Sequence, residues 1–85
     1  PRLKNKIRTF IFENFLFGEP DEKLKNSDSF MEQGIIDSTG ILELAGFLEE
    51  NFGVKVEDSD LVPENLDSVD NIVDFINRKA ADKTA

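Results

Sequence analysis

Cysteine is absent from this chain. Disulfides and thiolate metal ligands are therefore excluded. Histidine is absent too, which removes the commonest general base near neutral pH and the commonest metal ligand. Tyrosine and tryptophan are missing, so the eight phenylalanines supply all the aromatic surface. Such rings fill a core and offer no polar handle. Long apolar runs are lacking as well. The stretch from Phe10 to Phe17 is broken by Glu13 and Asn14 and falls far short of the roughly 20 residues that a membrane-spanning helix needs. No small-residue cleavage site follows it, so neither membrane insertion nor a secretory signal is expected. The cysteine-free composition fits a reduced, cytoplasmic location.

Basic charge is scarce where it would matter for nucleic acid. The 85 residues carry a formal charge of −8. Residues 28–77 hold thirteen acidic side chains and a single basic one, Lys55. Binding a phosphate backbone requires cations that displace counterions, so nucleic acid is not an expected partner. Protein partners with basic patches would be steered toward this segment.

What is present reads as one small all-α domain. Leu3, Ile7, Ile11 and Phe15 recur every four residues, with Phe10 beside them, and predict a first helix ending near Gly18 and Pro20. Phe12 and Phe17 fall off that stripe. Residues 19–34 read as a long loop rich in turn formers, with a helical turn near Ser29–Gln33 and with Phe30, Met31, Ile35 and Ile36 pinning it to the core. Ser38 to Phe52 predicts a second helix with Ile41, Leu44, Ala45, Leu48 and Phe52 on one face, and Gly53 stands at its left-handed C-terminal position. Asp37 or Ser38 can cap it. Val54–Val56 reads as an extended connector, and Asp58–Leu61 as one helical turn before Pro63. A last helix carries Val69, Ile72, Val73 and Ile76 on one face, is capped by Asp67 or Ser68, and has Arg78 and Lys79 near its end to complement the dipole. The expectation is a four-helix bundle, three main helices and a short one, over residues 1–79, with 80–85 as a disordered tail.

Aspartate precedes serine four times, at Asp28-Ser29, Asp37-Ser38, Asp58-Ser59 and Asp67-Ser68. The pair alone is a helix-cap signature, and for Ser29, Ser59 and Ser68 the cap reading is preferred. Ser38 differs through its neighbours. Gly34-Ile35-Ile36 precede it, and the amphipathic run through Leu44 to Glu49-Glu50-Asn51-Phe52-Gly53-Val54-Lys55-Val56 follows. Residues 34–56 resemble the central half of an acyl carrier protein, and Asp67–Ile76 resembles the last helix of that family. With the first helix at the expected distance, the resemblance covers nearly the whole chain.

The resemblance implies a non-catalytic carrier. Ser38 would carry covalent 4′-phosphopantetheine delivered from coenzyme A by a phosphopantetheinyl transferase, at a helix start that favours negative charge. Acyl or aminoacyl cargo would ride on the arm as a thioester. Asp37 would help the transferase recognise the site, and Thr39 would lie against the arm. Leu42, Glu43, Glu49 and Glu50 would form the docking surface for loading ligases and downstream synthases or transferases with basic patches. The carrier is expected to be a monomer. Thr39 and Gly40 stand where carriers of fatty-acid biosynthesis usually have leucine and an acid. Gly40 and Phe52-Gly53 look closer to stand-alone aminoacyl carriers, including D-alanine carriers.

Three rivals compete. A Ser38 nucleophile would need a base and an oxyanion hole, yet the chain has no histidine, and Gly34–Ser38 is not a nucleophile elbow. A calcium loop begun at Asp58 has Pro63 where glycine is required and Val69 where glutamate is required. The third is an unmodified acidic helical adaptor that keeps a carrier-like fold.

Overall fold

The computed structural model describes residues 2–17 and 24–84, with side chains described over 3–17 and 24–80. Helix α1 spans Arg2–Ile11 and continues into a π-helical turn, Phe12–Leu16. Helix α2 spans Ser38–Phe52, a 3₁₀ turn covers Asp58–Asp60, α3 is the single turn Pro63–Leu66, and α4 runs Val69–Thr84. Among the described residues there is no strand. The all-α bundle with three main helices and one short helix is therefore observed.

The π turn answers a mismatch in the sequence. A strict four-residue apolar spacing overshoots the 3.6-residue turn of an α-helix. A wider i→i+5 turn takes up the excess. Ile7 and Ile11 are fully buried, and Phe15 still packs against the core one turn on. The helical path stops at Phe17, which adopts a left-handed backbone with φ 35° and is 80 % exposed. Gly18 and Pro20, the expected terminators, lie outside the described residues.

Residues 24–37 form no regular helix, yet hydrogen bonds tie them down. The Asp70 amide donates to the Asn26 carbonyl at 3.0 Å, and Arg8 Nη1 donates to Asn26 Oδ1 at 2.7 Å. Phe30 is fully buried, and its amide donates to the Asp67 carbonyl at 2.7 Å. The Asp67 carboxylate accepts from the Met31 amide at 3.0 Å and from the Ser29 hydroxyl. The expected turn near Ser29–Gln33 is present, with the Gln33 amide on the Ser29 carbonyl at 3.0 Å. Met31 departs from expectation: it is 49 % exposed, while its neighbours Phe30 and Ile36 do the pinning.

Capping choices left open by the sequence are resolved. Ser68 caps α4, its hydroxyl accepting from the Asn71 amide at 3.0 Å, while Asp67 holds the long connection instead. Ser29 Oγ likewise accepts from the Glu32 amide at 3.2 Å. Helix α4 continues to Thr84, past residue 79 where the sequence reading ended the domain. Arg78 and Lys79 are consequently not in its last turn. They grip the α3 region: Lys79 Nζ lies 2.7 Å from Asp60 Oδ2, and Arg78 Nη2 donates to Asn65 Oδ1 at 2.8 Å. Asn65 is buried, and its Nδ2 donates to the Asp60 carbonyl at 3.0 Å. The expected turn before Pro63 is present as the 3₁₀ turn Asp58–Asp60, and a further α turn that the sequence did not announce, Pro63–Leu66, follows it.

Lys79 and the Glu57 amide both stabilise the ionised form of Asp60 and hold its carboxyl below the ordinary 3.8. A carboxyl depressed on folding stabilises the native state above its unfolded pKa, and that contribution fades as pH falls through the folded value. Asp60→Asn should therefore cost about 1 kcal/mol at neutral pH, the upper end for a pair that keeps solvent contact. Thermal melts should show this deficit unchanged down to the ordinary aspartate value and closing in more acid buffers. A deficit that persists in strong acid would assign the effect to shape rather than charge.

Candidate functional site

The start of α2 is built by three neighbouring residues. Asp37 is the N-cap, with extended backbone, and its Oδ1 accepts from the Gly40 amide at 2.8 Å. The cap is thus Asp37, one of the two residues the sequence left open. Ser38 is the first helical residue, and both it and Thr39 are exposed. By helix geometry their amides have no carbonyl one turn back. The Ser38 hydroxyl therefore opens to solvent at the positive end of a fifteen-residue helix.

Gly40 underlies this turn and is buried. A Cβ there would come within 2.8 Å of Ile36 Cγ2 and 2.9 Å of Phe15 Cε1. The first turn of α2 can sit down on α1 and the long connection only because position 40 has no side chain. Gly34 serves the approach differently, through a left-handed φ of 70°. Sequence reasoning noted Gly40 but did not identify Phe15 and Ile36 as its contacts. The available signal was a glycine in the first turn of an otherwise regular helix.

The four expected docking residues do not form one class. Leu42 is 60 % exposed, and Glu43 and Glu50 are also exposed. Glu49 is exposed but committed: its Oε2 accepts from the Val56 amide at 2.9 Å, holding the connector after α2. Gly53 ends the helix with φ 66° and donates to the Glu49 carbonyl at 3.2 Å, as the sequence predicts. Among the described residues, no group of three or more carboxylates is placed to hold a metal, and no helix is long and apolar enough to cross a membrane.

A small helical bundle that offers an exposed serine at the start of an acid-rich helix is the arrangement that the carrier reading of the sequence requires. Comparison with known proteins agrees. Residues 16–76 match the phosphopantetheine attachment site family. An acyl carrier protein of Thermosynechococcus vestitus is 42 % identical over 60 residues, 71 % of this chain and 72 % of the relative. One from Buchnera aphidicola of Schizaphis graminum is 38 % identical over 58 residues, 68 % of this chain and 71 % of the relative. The solution structure of a holo acyl carrier protein from Nitrosomonas europaea superposes with a TM-score of 0.74 at 20 % identity, covering 94 % of this chain and 96 % of that one. The chain belongs to the phosphopantetheine attachment site family, together with the acyl carrier proteins it resembles: a carrier, not a catalyst, with covalently attached 4′-phosphopantetheine as its cofactor.

The capping role of Asp37 can be measured directly. Asp37→Ala should lower stability by about 1 kcal/mol, as loss of an N-cap does, whereas Asp37→Ser should retain most of it because serine caps nearly as well. Denaturant titration of the two variants reads the difference. Equal losses would remove Asp37 from the capping role.

Proposed function

We propose that Ser38 is the attachment point of the arm. The observation that carries the reading is the placement of this hydroxyl. It is exposed at the first position of α2, beside amides whose partial positive charge suits a phosphodiester. The other Asp-Ser serines have different surroundings. Ser29 and Ser68 spend their hydroxyls on turn and helix caps, and Ser59 lies within a 3₁₀ turn. Asp37 fixes the turn that presents Ser38, and Thr39 lies next to the root of the arm. When bound, the cofactor supplies a flexible tether ending in a thiol that holds cargo as a thioester. The chain's own residues orient that root and keep it clear of the core.

The cargo in this reading is an acyl or aminoacyl group. The partners are a phosphopantetheinyl transferase, a loading ligase and downstream enzymes whose basic patches meet Leu42, Glu43, Glu49 and Glu50. Delivery works by raising the effective concentration of tethered substrate at each partner. The protein acts as a monomer in the cytoplasm.

Incubation with coenzyme A and a broad-specificity transferase, followed by intact-mass measurement, tests the reading. One phosphopantetheine should be added to the parent chain and to Ser59→Ala, and none to Ser38→Ala. A chain that stays unmodified while a control carrier is converted would instead be an acidic adaptor with a carrier fold. Modification of Ser38→Ala would move the site elsewhere.

A further inference from the structure

Two glycines interrupt α2, and only one is explained by the fold. Gly40 is required by its contacts. Gly46 is exposed, and a Cβ there would meet nothing within 4 Å. A mid-helix glycine weakens its helix relative to alanine, and the contacts of the fold give no reason for one at position 46. Glycine is suited to places where another molecule must approach the backbone closely.

Gly46 lines a groove of about 430 Å³ between α1 and α2. Phe10 and Phe47 form its apolar wall, stacked with centroids 4.0 Å apart and planes 19° apart. Phe15 and Phe52 continue the aromatic row edge-on at either end. The polar rim carries Asn14, Glu43, Glu49 and Glu50, and no basic residue lines the groove. An apolar floor with a rim whose charges are all acidic is complementary to an apolar side chain flanked by lysine or arginine. Eight residues separate Gly46 from Ser38 on the same helix, roughly 12 Å at the α-helical rise. A protein that reaches Ser38 is large enough to reach the groove as well.

We propose that this α1–α2 groove is a docking pocket for a protein partner, which inserts one apolar side chain over Gly46 and sets flanking lysine or arginine residues against Glu43 and Glu50. It extends the docking surface beyond the acidic face of α2 onto the phenylalanine row. The identity of the partner as a carrier-handling enzyme rests on the reading of Ser38 above; the pocket itself does not.

The probe is a synthetic helical peptide presenting one leucine between lysines, titrated into the isotope-labelled full chain and followed by amide chemical shifts. Saturable shifts should centre on Glu43, Gly46 and Phe47. Replacing the peptide leucine by serine, or its lysines by glutamates, should weaken binding at least tenfold. Gly46→Leu fills the groove and should weaken it similarly. Gly46→Ala should melt higher than the parent chain yet bind the peptide less well. Ser38→Ala should bind like the parent, which keeps this test independent of the attachment site. Absence of binding, a leucine-independent response, unchanged affinity in both Gly46 variants, or sedimentation showing a second copy seated in the groove would each overturn the proposal.

Discussion

The long connection between α1 and α2 is held at one point above all, the contact between Phe30 and the residues that precede α4. Phe30 is fully buried, and its amide meets the Asp67 carbonyl while the Asp67 carboxylate takes the neighbouring Met31 amide and Ser29 hydroxyl. These bonds couple segments more than thirty residues apart. A connection of this kind carries unpaired backbone polar groups that would be costly to bury, and Asp67 satisfies several together. With Phe30 anchored, Ile36 is placed in the core, and Asp37 and Ser38 emerge at the surface in a defined direction. The exposed hydroxyl is thus a consequence of a buried ring elsewhere.

The acidic composition conceals a division of labour. Asp37 caps α2, Glu49 holds the Val56 amide, Asp60 pairs with Lys79 and Asp67 braces the long connection. Each takes donors that the fold would otherwise leave unmet, so these carboxylates lower the free energy of the native state despite the net charge. Glu43 and Glu50 remain at the surface and contribute field rather than structure. A surface partner therefore meets only part of the charge that composition reports. The phenylalanines divide in the same way, with Phe30 and Phe75 fully buried and Phe10 and Phe47 forming a partly open wall.

Much of this was legible beforehand. Apolar periodicity located α1, α2 and α4, and Gly53 marked the end of α2, because these features depend on residues within a turn or two of each other. The candidate serine proposed for arm attachment stood out through the neighbours of Ser38, since the Asp-Ser pair itself recurs three more times. The π turn at 12–16, the α turn at 63–66 and the extension of α4 to Thr84 left no such local sign. Each depends on what the segment packs against. Arg78 and Lys79 looked like dipole partners at a helix end, and they are clamps on Asn65 and Asp60.

By itself, the chain's order of residues determined an all-helical class, the start of α2 and the chemical candidates at it, because helix periodicity and capping are local physics. Only tertiary structure decided which carboxylates are structural, why position 40 must lack a side chain while position 46 need not, and which phenylalanines remain available to a partner. Those outcomes hang on contacts between residues distant in the chain, and local patterns carry no record of such distances.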